Sequence, residues 1–138
     1  MSKVIKFKNA MFWTDDSDIL YCEFSNSKPN SKLESKNVER YIDAIISLCN
    51  GKAMPFLIDL RGSRGTFSIS AAKLLAQSKE LSKVRISESF VINTIGIRLL
   101  IASYKRLYDP ITPFSVFNNT EDAKEFCDQY KLDFHGSI

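Results

Sequence analysis

Pro55-Phe56-Leu57-Ile58-Asp59-Leu60-Arg61-Gly62 decides how this chain is read. The run Phe56 to Leu60 is apolar without alternation, the pattern of a strand covered on both faces, as in a parallel sheet. It gives way abruptly to Arg61-Gly62-Ser63-Arg64-Gly65-Thr66-Phe67-Ser68, read as a compact loop. A helix is expected next, with Ala71, Ala72, Leu74, Leu75 and Ala76 continuing to about Leu81 and Ser68 or Ser70 as its N-cap. A buried strand, a loop and a helix in that order make one unit of an α/β fold.

The flanking sequence repeats the alternation. Upstream, Val4 to Phe7, Ala10 to Trp13 and Ile19 to Phe24 are strand-like runs, and Asp15-Asp16-Ser17-Asp18 is a turn. That acidic cluster lacks the Gly and the distal Glu of a calcium loop. Ser31 and Glu34 have capping-box spacing, so a helix is expected to begin there, with Val38, Ile42, Ile45 and Cys49 on one face and Tyr41, Ile46 and Leu48 widening it. Asn50-Gly51 ends it.

Downstream, Ser89 to Asn93 reads as a buried strand and Thr94 as the cap of a helix over Ile95–Tyr108. This helix is apolar on most sides, which predicts that it is largely buried. Pro110 and Pro113 follow it, Phe114 to Phe117 is a last strand, and Asn119 or Thr120 caps a final helix with the face Ala123, Phe126, Cys127 and Tyr130. From Asp133 onward the tail is expected to fray. The prediction is a single α/β domain over residues 1–138, with a mixed sheet of about six strands, a parallel core, an N-terminal antiparallel hairpin and four helices.

Composition fits one domain. The chain has 138 residues, 44% hydrophobic and 25% charged, with a formal net charge of +3 and no basic tail or acidic block. The small, evenly spread excess argues against nucleic acid as a partner, although Trp13 and Tyr21 could serve if the N-terminal strands expose a face. One His, His135, and three scattered cysteines, Cys22, Cys49 and Cys127, supply neither a His-rich metal site nor a paired-Cys zinc site. No metal and no cofactor is expected. The cysteines sit in apolar patterns, as reduced thiols do, and Met1 to Lys8 lacks the apolar stretch of a signal peptide. The greasiest region, Phe90 to Ala102, carries Asn93 and Arg98 and is too short to span a bilayer. A cytoplasmic protein is the expectation.

Three readings of the loop stand side by side. Two Arg and two Gly before a helix N-terminus can hold an anion (a phosphate, a nucleotide or an acidic lipid head) through Arg61, Gly62, Ser63, Arg64, Gly65, Thr66 and Ser68. The loop could equally be a tight surface turn, with its Arg residues solvated or paired with Asp59 or with helix carboxylates. Phosphorylation of a hydroxyl there would set about two negative charges beside Arg61 and Arg64. No nucleophile with an adjacent base is legible, so no catalytic residue is assigned and the chain is expected not to be an enzyme.

Element order and the Pro55 to Gly62 phrase resemble a bacterial STAS-like, or SpoIIAA-like, domain. That class includes the anti-sigma-factor antagonists and sits near the lipid-binding Sec14-like folds. The likeness runs from about Ile19 to Tyr130, in a divergent branch, because Arg-Gly-Ser-Arg-Gly-Thr-Phe-Ser stands where the family carries Asp-Ser-Ser-Gly or Asp-Ser-Thr-Gly. The resemblance implies a signalling module that meets a protein partner around the loop and helix start at residues 61–70, and the surface expected to act also takes in the adjoining Asn93 and Thr94. It places Asp59 at the matching strand end and makes Thr66, Ser68 and Ser70 the positions for a phosphorylation switch. Homodimerisation through the N-terminal edge strands is left open.

Overall fold

The computed structural model describes residues 3–25, 32–33, 35–62, 66–67 and 69–136. Strands β1 (Lys3–Lys6), β2 (Ala10–Thr14) and β3 (Leu20–Phe24) form an antiparallel meander. Its second turn closes because the Asp15 carboxylate accepts the backbone N–H of Ser17 at 2.9 Å and the Ser17 hydroxyl, while Asp18 takes a positive φ of 59°. A short strand β4 (Lys32–Leu33) precedes helix α1 (Ser35–Cys49). Then come β5 (Met54–Asp59), the short β6 (Thr66–Phe67), helices α2 (Ile69–Gln77) and α3 (Lys79–Val84), β7 (Arg85–Val91), α4 (Ile95–Tyr108), β8 (Phe114–Phe117) and α5 (Thr120–Gly136).

The main sheet has six strands in the order β1-β2-β3-β5-β7-β8. Its first two pairings are antiparallel and the remaining three parallel. Strands β4 and β6 pair in parallel as a separate ribbon. This is the mixed α/β sheet that the sequence predicts.

The helices divide unequally between its faces. Strand side chains alternate in direction, so Phe12, Leu20, Cys22, Met54 and Phe56 share one face, packed against Val38, Tyr41, Ile45, Leu48 and Cys49 of α1 and Leu81 and Val84 of α3. On the opposite face Ile19, Tyr21, Leu57 and Val91 meet Ala123 and Cys127 of α5. There the Ser89 hydroxyl donates to the Ala123 carbonyl at 3.1 Å. Helix α1 ends as expected, at Asn50 (φ 50°) and Gly51 (φ 82°).

Several expectations are corrected. The described residues form five helices, because the segment expected as one helix to Leu81 breaks at Ser78, which is extended and accepts the Leu81 N–H at 3.2 Å as the N-cap of α3. Helix α2 begins at Ile69, so Ser70 lies inside its first turn and is not its cap. Ser68 lies outside the described residues, as do Ser31 and Glu34. Helix α1 starts at Ser35, and Lys32–Leu33 ahead of it are strand. Thr66 and Phe67, expected in a loop, are strand as well.

Strand β7 starts at Arg85, four residues earlier than predicted, because Arg85, Ser87 and Glu88 are polar yet buried. Helix α4 departs most from expectation. Of its residues only Ile101 and Lys105 are buried, whereas Ile95 is 76% exposed, Leu99 63% and Leu107 64%. Helix α5 continues to Gly136.

Candidate functional site

Strands β5, β7 and β8 run parallel, so their C-terminal ends lie along one edge of the sheet. The predicted loop begins there. At the end of β5 the Asp59 carboxylate accepts the backbone N–H of Arg61 at 3.0 Å, its Nε at 3.1 Å and a terminal guanidinium nitrogen at 2.9 Å. The same terminal nitrogen donates to the Thr120 hydroxyl at 3.2 Å. Burial raises the Asp59 carboxyl, but the hydrogen bonds from Arg61 outweigh it and hold the group below its ordinary value. Arg61 is thus paired within the molecule, the arrangement foreseen in the surface-turn reading.

Asn93 joins this edge by donating from its side-chain amide to the Arg61 carbonyl at 3.3 Å. Thr94 caps α4, its hydroxyl accepting the Ile97 N–H at 3.2 Å, and Asn119 caps α5 by accepting the Asp122 N–H at 2.8 Å. Gly62 sits so close to the end of β3 that an added Cβ would lie 3.3 Å from the Phe24 carbonyl oxygen. The structure therefore brings together Asp59, Arg61, Gly62, Asn93, Thr94 and Thr120. Ser63, Arg64, Gly65 and Ser68 lie outside the described residues, and Thr66 and Ser70 are placed by their backbone in β6 and α2.

From Thr94 the edge continues onto α4, whose exposed side bears Ile95, Leu99 and Leu107, with Ile111 just beyond its end. Arg98 and Arg106 are exposed on the same helix, which contains no carboxylate. The nearby Asp109, at the helix C-cap, is buried.

Beneath α4 lies a group of charges that the sequence analysis did not single out. Lys105 donates to Glu88 of β7 and, at 2.9 Å, to Asp109. Arg85 lies 3.6 Å from Asp109 and donates to the carbonyls of Leu75 at 3.1 Å and Ala76 at 3.4 Å. All four side chains are buried. Two cations balance two anions, as burial of charge requires. Burial alone would raise the Asp109 carboxyl, yet hydrogen bonds from Lys105 and the Thr112 N–H bring it down to about 2. One sequence signal was available: Lys105 and Asp109 are four residues apart at the end of an apolar helix.

Between this group, the sheet and helices α1, α2, α3 and α4 is a cavity of about 80 Å³, lined mostly by apolar side chains together with Arg85, Glu88 and the phenols of Tyr41 and Tyr104.

Elsewhere the candidate chemistry is muted. Burial raises all three thiols, Cys49 and Cys127 to about 11, and disfavours thiolate. Trp13 and Tyr21 stack on each other at 5.2 Å, with Lys124 over the Tyr21 ring. Among the described residues no group of His, Cys, Asp and Glu is arranged to hold a metal ion. No helix among them is long and apolar enough to cross a membrane.

The antiparallel meander leading into parallel strands, with helices on both faces, is a SpoIIAA-like fold. Over 92% of both chains it is similar to the crystal structure of a DUF3478-family protein with a SpoIIAA-like fold from Shewanella loihica PV-4, at 14% sequence identity and a TM-score of 0.57. The sequence itself matches the family described as "Domain of unknown function (DUF7793)" over residues 12–131, and the chain belongs to that family. No curated protein matches the chain.

Proposed function

We propose that this domain is a non-enzymatic protein-interaction module of the STAS-like kind. Its contact surface is the strand edge at Arg61, Gly62, Asn93 and Thr94, extended along the exposed side of α4. The observation that carries the reading is the exposure of Ile95, Leu99 and Leu107 on a helix that adjoins this edge. Large exposed apolar side chains gathered on one element mark interaction sites more often than chance. Arg98 and Arg106 give that helix positive charge, so the fitting partner is a protein with an apolar contact patch and an acidic rim.

In sequence, Thr66, Ser68 and Ser70 follow within eight residues of Gly62 at this edge, so phosphorylation of one of them would add negative charge close along the chain to Arg61. That supports a regulatory role. The buried, unpaired thiols favour a reducing compartment such as the cytoplasm.

The test is quantitative affinity capture from the native cell with three baits: wild type, Leu99→Asp with Leu107→Asp, and Arg61→Glu with Arg64→Glu. A specific partner recovered with wild type and lost with both variants, at unchanged circular dichroism, is the expected result. Identical partner sets for all three baits overturn the surface. The alternative at the same loop, a small anion, predicts instead that phosphate or a nucleotide at millimolar concentration raises the Tm of wild type and not of the Arg61→Glu, Arg64→Glu variant. The engagement of Arg61 by Asp59 favours the partner reading over this one.

A further inference from the structure

We propose that the free edge of β8 is a self-association surface: a second copy of this chain lays its own β8 antiparallel against it, joining the two main sheets into one. The proposal does not rest on the contact surface described above.

The order of the main sheet leaves β1 at one edge and β8 at the other. The two edges are built differently. A sheet edge presents unpaired backbone N–H and C=O groups, and proteins guard it against a second strand with charged side chains, lysine above all. Strand β1 carries exposed Lys3 and Lys6 at its two ends, and a two-fold across it would gather the lysines of both copies in one short ribbon. Strand β8, Phe114-Ser115-Val116-Phe117, has no charged residue. Phe114 is 38% exposed, and Ile111, shortly before the strand, 87%. On the opposite face of this edge, half-buried Phe117 leads to half-buried Phe126 and Tyr130 of α5, with successive ring centroids 5.6 and 4.7 Å apart. Apolar side chains thus flank the β8 edge on both faces.

Backbone direction sets the register. The Pro113 and Phe117 carbonyls accept from the N–H groups of Glu88 and Ile92, both at 2.9 Å, and so point towards β7. Successive residues of a strand turn their backbone groups to opposite sides, which leaves those of Phe114 and Val116 aimed at the open side. A two-fold axis through Ser115, perpendicular to the sheet, puts Phe114 opposite Val116 of the second copy. The two then exchange both of their backbone hydrogen bonds, with apolar side chains together on the α4 face. Ser115 meets its own copy on the α5 face, and no like charges are opposed. An axis through Val116 would instead set Phe114 opposite the polar Asn118. The strand therefore complements itself in one register, which favours a second copy over a strand of a different protein.

Sedimentation velocity of the full chain from about 1 µM to about 500 µM, a range suited to an interface below standard size, is expected to show a monomer–dimer equilibrium. Ser115→Lys sets two ammonium groups directly opposite each other and should weaken the dimer by at least about tenfold at unchanged circular dichroism. Val4→Lys on β1 and Leu132→Lys on α5 should not. Ser115→Cys should have the reverse effect, because opposed residues of a non-hydrogen-bonded antiparallel pair lie about 4.5 Å apart at Cα, within disulfide reach. Diamide should convert that variant to a covalent dimer on non-reducing gels, the two thiols passing two electrons and two protons to the reagent. Wild type, whose thiols are buried, and Val4→Cys should stay monomeric on the same gels. A monomer at every concentration, the result expected if the edge takes a strand of another protein, overturns the proposal. So does a dimer that Ser115→Lys leaves intact, or cross-linking no faster in Ser115→Cys than in Val4→Cys.

Discussion

Lys105 shows how much a single side chain decides in this molecule. It is only 2% exposed and is shared by Glu88 and Asp109. Lys105→Met keeps the stem and removes the charge, leaving two buried carboxylates with Arg85 as their remaining cation. It should lower unfolding stability by about 3–5 kcal/mol, read as a shift in the urea midpoint at unchanged slope. Acid should expose the same contacts. The Asp109 carboxyl is lower in the folded protein than in the unfolded chain, so its contribution to stability is present above its ordinary value near 4 and is lost as pH falls towards about 2. Urea midpoints measured across that window should therefore fall with pH in wild type. In Asp109→Asn, already less stable at neutral pH, they should fall less steeply. The residues of this group were poorly legible from sequence for one reason. Arg85, Ser87 and Glu88 look like the polar approach to a strand until partners 17 and 24 residues away are known to cover them, whereas Asp59 and Thr94 announce their local roles by their neighbours.

At the scale of elements, α4 and α2–α3 carry the lessons. Helix α4 was legible in extent and cap but not in environment: an apolar composition says that a helix can be buried, and only the tertiary arrangement says which side is. Two substitutions separate the sides. Ile101→Ala, in the cluster with Leu60, Phe90 and Ile92, should cost about 2–5 kcal/mol, whereas Leu99→Ser on the exposed side should change stability by no more than about 0.5 kcal/mol, both read by urea unfolding. The break at Ser78 was hidden because Gln77-Ser78-Lys79 contains neither Gly nor Pro. The Ser78 hydroxyl capping α3 marks it, and Ser78→Ala should cost about 1 kcal/mol in the same assay. Helix α1 shows the opposite case, since the spacing of Val38, Ile42, Ile45 and Cys49 made its buried face plain from the start. Gly51 closes that helix at φ 82°, where Gly51→Ala meets no steric neighbour but loses at least about 1 kcal/mol to backbone strain.

Across the whole molecule, the alternation of helices and strands after β3 was sufficient to identify a mixed, largely parallel sheet, because parallel neighbours require crossover connections. The position of the site is a consequence of that topology. Parallel strands bring the ends of β5, β7 and β8 to one edge, so Arg61, Asn93 and Thr120 meet although they are far apart in sequence. Sequence reading located that edge through Asp59-Leu60-Arg61-Gly62, but the cavity escaped it, since a void is defined by what several distant elements fail to fill. The claim that the edge and α4 together form a protein-contact surface is tested most directly by placing a photo-crosslinking residue at Leu99, and in a second protein at Leu132 on α5, and irradiating native cells. The expected result is a discrete adduct of defined mass from Leu99 that is absent from Leu132 and disappears when Arg98→Glu and Arg106→Glu are added. The same adducts from both positions, or none from Leu99, would contradict it.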